Sequence, residues 1–365
     1  MKTTRKALAT LAFATAIAVA FGPVADAAKK TTKKKTTAKK KTTAKAKDTV
    51  AAPAAQSVGL LFDITGRGDK SFNDAAAAGF DKAKAEFTKA KFTESAPTGD
   101  ADRPERVKTL ISQKTGIIVC VGFLWTKDCG AAAKANPATT FAIIDDVIDS
   151  PNAVSLLFSE EQGSYLVGYA AGLKTKSGKV GFIGGVRTDG IGKFEAGFAA
   201  GAKAANPKVT VESKYATEPP DFSGFNDPAK GKTIAKAMFE SGIDVVYHAA
   251  GGTGAGLFAA AKESGKKPGE LWTIGVDSDQ YNSVKAENGQ EFILTSMLKR
   301  VDVATYEAIK AYAAGKPLSG KQQFDLKRDG VGYATSNPAI NDIKDKLEAV
   351  KADIVSGKVV VPTKP

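Results

Sequence analysis

The strongest restriction on the fold comes from an alternation of short apolar runs with longer helical patterns that starts at Ser57. In its first unit, Val58 to Phe62 form a near-continuous apolar run, which is typical of a parallel strand covered on both faces. A polar loop follows, and a helical pattern with an acidic first turn begins near Asp74. Because open α/β sheets bind ligands beyond the carboxyl ends of their strands, we expect binding groups between Asp63 and Asn73.

The same unit recurs along the chain. Strands are predicted at Val58 to Phe62, Gly116 to Val121, Phe141 to Ile144, Val154 to Phe158, Lys179 to Ile183, Val209 to Lys214, Asp244 to His248, Trp272 to Val276 and Phe292 to Met297, with a further short strand near Phe92. Helices are predicted at Asp74 to Thr88, Gly163 to Leu173, Phe194 to Ala205, Gly231 to Ser241, Gly256 to Ser264 and Asp302 to Ala314. Strands that alternate with helices favour parallel sheets built from right-handed βαβ units.

The length of the chain favours two lobes. Its 365 residues exceed what one hydrophobic core usually holds, and two groups of about five strands fit two doubly wound sheets better than one very wide sheet. We expect residues 57–158 plus about 299–320 to form the first lobe. Residues 159–298 plus about 321–361 would form the second. Three crossings between the lobes would then make a hinge.

The net charge of +13 suggests a nucleic-acid partner, but the distribution of the charge argues against one. Residues 29–47 contain ten lysines and no acidic residue, and residues 1–28 contain three basic residues and one acidic residue. Removing these 13 basic and one acidic residues from the 52 and 39 of the whole chain leaves a net charge of +1 for residues 48–365. The folded part is therefore expected to be nearly neutral.

The pattern of the first 56 residues predicts an export signal followed by a linker. A basic start, an apolar run from Leu8 to Gly22 and the small residues at 25–27 predict a cleaved signal peptide over residues 1–27. Residues 28–56, rich in Lys, Thr and Ala, predict a disordered linker, which is either a solvated spacer or a contact to an anionic cell-wall polymer or membrane surface. We expect an exported protein, periplasmic or held at the cell surface. No Cys lies near the cleavage site, so a lipid anchor is not expected.

Cys120 and Cys129 are the only cysteines. A disulfide is permitted in an exported protein, and a strand end followed by a helical turn can bring two Cα atoms within the required ~7 Å. Spacing alone leaves open whether the bridge forms. With His248 as the only histidine, these residues argue against a structural zinc site, which normally takes four Cys or His ligands. No metal or cofactor is expected.

Motifs of catalysis are absent from the sequence. His248 ends a predicted strand, but no G-x-S-x-G or comparable nucleophile motif accompanies it, so it reads as a hydrogen-bonded strand-end residue or as part of a cleft wall. The glycine-rich run from Gly251 to Gly256 lacks the Lys and Ser/Thr of a phosphate loop and reads equally well as a tight turn. We therefore do not expect an enzyme.

The residues that follow successive strands carry the functional signal. They are Phe72 and Asn73, Phe123 and Trp125, Asp145 and Asp146, Phe222 and Phe225, Gly251 and Gly252, Asp277, and Lys299. A pocket with aromatic faces, a few carboxylates and one ammonium suits a flat, neutral ligand that carries hydroxyl groups. Carboxylates accept hydrogen bonds from hydroxyl and ring N–H groups, whereas a phosphate would require more Arg and Lys.

The sequence also resembles the basic membrane protein family, the purine-nucleoside-binding proteins of ABC importers. The matching segments are Asp69 to Asn73, Glu160 to Gly172, Gly178 to Gly185, Phe225 to Lys232, Asp244 to Gly256, Ile274 to Gln280 and Leu294 to Lys299. The resemblance covers about Val58 to Ala314. It implies a two-lobed fold of the type I periplasmic-binding-protein kind with three crossovers.

This resemblance also implies a ligand and a partner. Phe72 and Phe225 would sandwich the purine, while Asn73 and Asp145 would bond its edge. By the same resemblance, Asp277, Lys299 and the Gly251 backbone would hold the ribose, and an ABC permease in the membrane would receive the nucleoside. The loop at residues 66–68 is less acidic than the family's form, so the ligand could differ. Because Asp146 is adjacent to Asp145, the resemblance does not decide which of the two carboxylates bonds the purine.

Three other hypotheses stay open at this level. The pocket could bind another flat hydroxylated solute such as a flavin, or it could belong to a sensor that signals to a partner. A nucleoside hydrolase would need clustered Asp residues, whereas the strand-end Asp residues here are scattered along the chain.

Overall fold

The structure is a computed structural model that describes residues 56–365. The expected signal peptide (1–27) lies outside the described residues, as does the expected linker (28–56) except for its last residue. That residue, Gln56, donates a side-chain hydrogen bond of 2.9 Å to the carbonyl oxygen of Ala313. Gln56 therefore belongs to the folded first lobe rather than to the linker.

Residues 56–365 form two β-sheets of six strands each. In chain order the strands are β1 (Ser57–Leu61), β2 (Lys91–Ser95), β3 (Ile117–Cys120), β4 (Thr140–Ile144), β5 (Ala153–Phe158), β6 (Lys179–Val186), β7 (Thr210–Thr217), β8 (Val245–Ala249), β9 (Trp272–Asp277), β10 (Ile293–Lys299), β11 (Gly320–Phe324) and β12 (Val331–Tyr333). The α-helices are α1 (Phe72–Glu86), α2 (Arg103–Ser112), α3 (Thr126–Ala135), α4 (Glu160–Lys174), α5 (Asp189–Ala205), α6 (Pro228–Glu240), α7 (Gly254–Glu263), α8 (Gln280–Ser283), α9 (Val301–Ala313) and α10 (Lys344–Val355).

The first sheet has the order β11-β5-β4-β3-β1-β2, and all of its pairs are parallel. The second sheet has the order β12-β10-β9-β8-β6-β7 and is parallel except for the antiparallel pair of β10 and β12. The predicted fold class of two doubly wound α/β lobes is confirmed. Strands β3 and β4 lie inside the first sheet with helices on its faces, so their apolar runs are almost fully buried.

The chain crosses between the sheets three times, after Phe158, after Lys299 and after Phe324. Helix α9 returns to the first lobe, where it packs on α1, and α10 packs on α4 in the second lobe. The expected boundary near residue 320 needs a correction, because Gly320–Phe324 pairs with β5 of the first sheet. Its sequence, G-K-Q-Q-F, forms a mostly exposed edge strand, so no apolar run marked it.

Cys120 and Cys129 form a disulfide that joins the end of β3 to α3, with 7.0 Å between their Cα atoms. Both residues are fully buried. Between them, Trp125 is also buried, and its indole N–H donates to the Phe62 carbonyl oxygen at 2.9 Å. The bridge therefore fixes the turn after β3. Across residues 56–365, no helix combines the length and apolarity needed to cross a membrane.

Candidate functional site

A cavity of about 430 Å³ lies between the two lobes, beyond the carboxyl ends of their strands. The first lobe lines it with residues that follow β1, β3 and β4, and the second lobe with residues that follow β6, β7 and β8 or end β9 and β10. All seven residues predicted for the site lie in this wall, namely Phe72, Asn73, Asp145, Phe225, Gly251, Asp277 and Lys299. The prediction that strand ends converge on one cleft thus agrees with the geometry.

The backbone turns sharply where the strands reach the cavity. Asp145 follows β4 with a φ of 69°, and Asp277 ends β9 with a φ of 65°. Gly122 and Gly251 take φ values of 96° and 54° at the corresponding points after β3 and β8. Few residues adopt this left-handed region, but Asp and Gly do so more readily than most. These residues therefore let the chain turn at the rim, where both Asp side chains line the cavity.

The loop before α1 is held together by Asp69. Its carboxylate accepts backbone N–H bonds from Ser71, Asn73 and Asp74 at 2.8–3.1 Å. The amide of Asn73 donates to Asp69 at 3.0 Å, and its oxygen accepts the backbone N–H of Asp63 at 2.9 Å. Asn73 is thus already engaged on both ends of its amide. In the described structure, the Asn73 amide therefore shapes the loop.

Lys299 is the charged centre of the cavity wall, with a side chain only 3% exposed. Its Nζ lies 2.5 Å from Asp145 Oδ2 and 3.4 Å from Glu160 Oε1. The rings of Phe72, Phe158 and Phe194 surround the ammonium at 4.9, 5.1 and 5.6 Å from their centroids.

Burial disfavours the charged form of Lys299, but three neighbouring carboxylates outweigh it and raise its pKa above the ordinary value. The largest contribution comes from Asp145, followed by Glu160 and Asp277. Lys299 therefore stays protonated, and since Asp145 belongs to the first lobe, the pair also joins the two lobes.

Four carboxyl groups in the wall, those of Asp63, Asp69, Asp145 and Asp277, have raised pKa values because burial penalises their charge. The pKa of Asp277 rises to about 7, with Lys299 and a hydrogen bond from Ser71 opposing the effect of burial. The pKa of Asp63 also rises to about 7 through burial, opposed by Arg103. Burial likewise raises the pKa of Asp145, although the adjacent Lys299 lowers it. A ligand that donated hydrogen bonds to these carboxyl groups would favour their ionised forms.

The choice between Asp145 and Asp146 can be argued from their partners. Asp146 accepts from the Thr126 hydroxyl at 2.6 Å and from the Val147 backbone N–H at 2.8 Å, so both of its oxygens are engaged. One oxygen of Asp145 pairs with Lys299, while its Oδ1 is buried and has no hydrogen-bond partner in the described part of the chain. A buried acceptor without a partner is costly, which makes Asp145 the better candidate to contact a ligand.

Aromatic side chains from both lobes line the cavity. Phe72 comes from the first lobe and Phe225 from the second, and both are partly buried. The Phe225 ring lies against Gly185, where an added Cβ would come within 2.4 Å of it. Phe123 also lines the cavity and makes an edge contact with Phe222 of the opposite lobe, with 5.7 Å between centroids.

Sequence reasoning missed several residues of the wall. Glu160 begins α4 directly after the first crossing and is only 4% exposed, and it pairs with Lys193 at 3.2 Å. The start of α5 also lines the cavity, although the helical pattern pointed to a start near Phe194. Asp63 lies at the start of the segment expected to carry binding groups, but it is not among the seven residues predicted for the site. The position of Glu160 directly after a strand was the available signal, but it was assigned to a family motif and not to the wall.

Three residues named among the strand ends lie elsewhere, and one of them, Gly252, lines a separate neighbouring cavity. Trp125 is buried under the loop, and Phe222 touches Phe123 without lining the cavity. The glycine-rich run after β8 is tight because its residues pack closely: a Cβ at Gly254 would meet the His248 ring, and one at Gly256 would meet the Pro228 carbonyl oxygen.

Residues 56–365 contain no group of three or more His, Cys, Asp or Glu side chains placed to hold a metal ion.

Comparisons with known proteins agree with this geometry. The family model described as "ABC transporter substrate-binding protein PnrA-like" matches residues 55–364. The chain is 39% identical to a "CD4+ T-cell-stimulating antigen" of Listeria monocytogenes over 85% of this chain and 88% of that protein. It is 36% identical to the "ABC transporter nucleoside-binding protein BmpA" of Lactococcus lactis subsp. cremoris over 84% and 88% of the two chains.

A solved structure has the same architecture. The crystal structure of an ABC transporter solute-binding protein from Aeropyrum pernix K1 superposes with a TM-score of 0.73 at 29% identity. The match covers 84% of this chain and 94% of that one. Both lobes of the described region therefore have counterparts in a solute-binding protein.

Proposed function

The chain belongs to the family of PnrA-like ABC transporter substrate-binding proteins, and we propose that it captures purine nucleosides in the cleft between its lobes. Members of this family are extracytoplasmic solute-binding proteins and not enzymes, and an ABC transporter implies a membrane permease as partner. The identity of the solute is the part of the proposal that needs an argument from the site.

The observation that carries the proposal is the buried acceptor of Asp145 in a cavity with aromatic walls. Its Oδ1 has no hydrogen-bond partner among the described residues, and Phe72 and Phe225 line the same cavity from opposite lobes. A purine offers ring faces for stacking and N–H groups at its edge. Stacking of a base on an aromatic side chain stabilises binding by about 1–3 kcal/mol, and the N–H groups would satisfy the carboxylate.

The ribose also has candidate partners in the wall. Asp277 lines the cavity and accepts from the Ser71 hydroxyl through one oxygen, so its carboxylate is already oriented. Its raised pKa reflects poor solvation, which hydroxyl donors of a ribose would relieve. Lys299 and the Gly251 backbone line the same region. In this proposal they hold the sugar together with Asp277.

The charge of the wall favours a nucleoside over a nucleotide. The carboxylates in the wall outnumber its ammonium groups, and the two lysines that line the cavity, Lys193 and Lys299, are both paired with Glu160 in the described structure. A phosphate group would therefore meet mostly negative charge. A neutral ligand with hydroxyl and N–H donors matches the wall better.

Isothermal titration calorimetry tests the proposal. The protein, unfolded and refolded to remove any co-purified ligand, is titrated with inosine, guanosine, adenosine, uridine, inosine 5′-monophosphate and riboflavin. We expect purine nucleosides to bind and the monophosphate to bind at least tenfold more weakly. If riboflavin bound and no purine nucleoside did, the proposal would be replaced by the flavin alternative. Release of hypoxanthine from inosine would instead indicate an enzyme, and we expect none.

Partner capture separates a transport protein from a sensor. The tagged protein, incubated with solubilised membranes of its own source, is expected to retain an ABC permease when inosine is present. Capture of a signalling receptor without a permease would favour a sensor with the same pocket.

A further inference from the structure

His248 is fully buried at the end of β8 and does not line the cavity. Its Nε2 lies 3.0 Å from Oε1 of Gln280, the first residue of α8. The ring is confined, since Phe258 contacts it edge-on at 5.3 Å between centroids and an added Cβ at Gly254 would fall 2.0 Å from it. The imidazole therefore has little room to move away from Gln280.

Two backbone partners fix the orientation of the Gln280 amide. Its Oε1 accepts the backbone N–H of Val276 at 2.9 Å, and its Nε2 donates to the carbonyl oxygen of Lys70 at 3.1 Å. A backbone N–H can only donate and a carbonyl can only accept, so oxygen and nitrogen cannot be exchanged. His248 must then donate from Nε2, which leaves Nδ1 as a bare acceptor without a hydrogen-bond partner in the described region.

This tautomer agrees with a neutral ring. Burial lowers the pKa of His248 to about 4, and a proton on the unpartnered Nδ1 would be buried without an acceptor. The ring therefore serves as a constant neutral donor to Gln280 across the physiological pH range.

The bond from Gln280 to Lys70 joins the two lobes. Lys70 belongs to the first lobe and has a φ of 54°, a region that a lysine rarely adopts. The next residue, Ser71, makes two further contacts across the cleft: its hydroxyl donates to the Asp277 carboxylate, and its carbonyl oxygen accepts from Ser278 at 3.4 Å. Phe72 follows directly and lines the cavity.

We propose that Gln280, whose amide oxygen is held by the Val276 backbone and by His248, is a positioning residue that docks the Lys70 carbonyl onto the second lobe. This contact favours the closed arrangement of the lobes even without ligand, and it sets where the loop presents Phe72 to the cavity. The role depends on lobe closure and not on which solute binds, so it goes beyond the proposed function. His248 acts through Gln280 and contacts neither the cavity nor the first-lobe loop.

The decisive variant is Gln280→Glu. It keeps an acceptor for Val276 and His248 but replaces the donor that faces Lys70 with an oxygen, which sets two acceptors against each other. Gln280→Leu removes the donor without adding repulsion, and His248→Phe removes one of the two hydrogen bonds that the Gln280 oxygen accepts. Gln290→Glu is the matched control, because the Gln290 amide donates to Tyr281 within the second lobe.

Double electron–electron resonance measures the effect. Spin labels are attached to the full chain at Lys84→Cys on α1 and Lys236→Cys on α6, both exposed positions, with the native disulfide intact. We expect a substantial closed population in the ligand-free protein and in Gln290→Glu. The ratio of closed to open protein should fall roughly 3- to 10-fold in Gln280→Leu, as for the loss of one hydrogen bond, and further in Gln280→Glu. His248→Phe should lie between Gln280→Leu and the unmodified protein.

Other outcomes overturn the inference. It fails if both Gln280 variants give the distance distribution of the unmodified protein, if Gln290→Glu opens the lobes equally, or if the ligand-free protein is entirely open. Circular dichroism and the Tm of each variant identify loss of folding. If Gln280→Leu does not fold, the comparison of Gln280→Glu with Gln290→Glu decides. Failure of inosine to bind would leave these distances unaffected, so the two proposals fail separately.

Discussion

Replacing Asp277 with asparagine separates ligand binding from folding at one position. The side chain ends β9, is only 7% exposed and accepts a hydrogen bond from the Ser71 hydroxyl. Asparagine has nearly the same shape and keeps an oxygen for Ser71, but it removes the negative charge. Under the proposed function, the ribose hydroxyls lose a charged acceptor.

The expected loss of affinity follows from that acceptor. A hydrogen bond to a charged group stabilises by about 1.5–3 kcal/mol. Since every ~1.4 kcal/mol corresponds to a tenfold change in Kd, Asp277→Asn should weaken inosine binding roughly 10- to 150-fold.

Folding stability should change in the opposite direction. Burial raises the pKa of Asp277 from 3.8 to about 7, so its contribution to stability is fully present below about pH 4 and is lost as the pH rises through 7. At about 1.4 kcal/mol per pKa unit, the ionised carboxylate costs at most about 4 kcal/mol at pH 8. Asparagine removes that cost, although Lys299 then loses one neighbouring carboxylate. The variant should thus have a higher Tm than the unmodified protein at pH 8 and gain less at pH 5.

Calorimetry with inosine and differential scanning fluorimetry at pH 5 and pH 8 provide the measurements. Asp146→Asn is the control, because Asp146 also lines the cavity but the protein occupies both of its oxygens. The inosine affinity of Asp146→Asn should stay within about threefold of that of the unmodified protein, which is a smaller change than the loss of one ordinary hydrogen bond would cause. Unchanged affinity in Asp277→Asn would refute the ribose assignment. A Tm lowered equally at both pH values would show that the carboxylate serves folding instead.

Three further predictions concern the same wall, and a fourth concerns the lysine-rich residues 29–47. Inosine affinity should rise from pH 6 to pH 8 with net release of protons, because hydrogen-bond donors of the ligand favour the ionised form of Asp277. Calorimetric titrations in buffers of different ionisation enthalpy measure the protons released, and net proton uptake would contradict the prediction. Lys299→Met should lower stability by about 3–5 kcal/mol in urea unfolding, since it leaves buried carboxylates unpaired, whereas Lys193→Met at a more exposed pair should change it little. Phe225→Ala should weaken inosine binding by about 1–3 kcal/mol through lost stacking, and equal affinity would exclude a sandwich. Deleting residues 29–47 should leave inosine binding intact and abolish low-salt retention on a polyphosphate resin, and undiminished retention would argue for a plain spacer.

The sequence predicted the fold well where burial dictated the residue pattern. Strands β3 and β4 are covered on both faces, so their apolar runs were unambiguous. Strand β11 is a mostly exposed edge, and β12 has three residues, so neither differs in pattern from a loop. Their pairing depends on neighbours distant in sequence, such as β5 for Gly320–Phe324. For the same reason the third crossing was placed too early.

For the candidate site, too, some features could be predicted from the sequence and others could not. Strand-end residues such as Asp145 and Asp277 could be predicted because parallel strands bring their carboxyl ends to one edge. What they bond to could not be predicted. Lys299 pairs with Asp145 across 154 positions of sequence, and Gln280 meets Lys70 across 210. Such pairs form only when the lobes meet, and no local pattern encodes that geometry.

The electrostatics of the wall connect the two proposals. Lys299 is held by Asp145 of the first lobe and Glu160 at the first crossing, while Ser71 and Gln280 join the Asp69–Asn73 loop to the second lobe. Asp145 and Asp277, whose pKa values burial raises, each contact a group of the opposite lobe, so closure without ligand has an electrostatic cost. A neutral ligand that brings N–H and hydroxyl donors reduces this cost, whereas a phosphate would increase it. Closure and preference for an uncharged solute thus have the same physical origin.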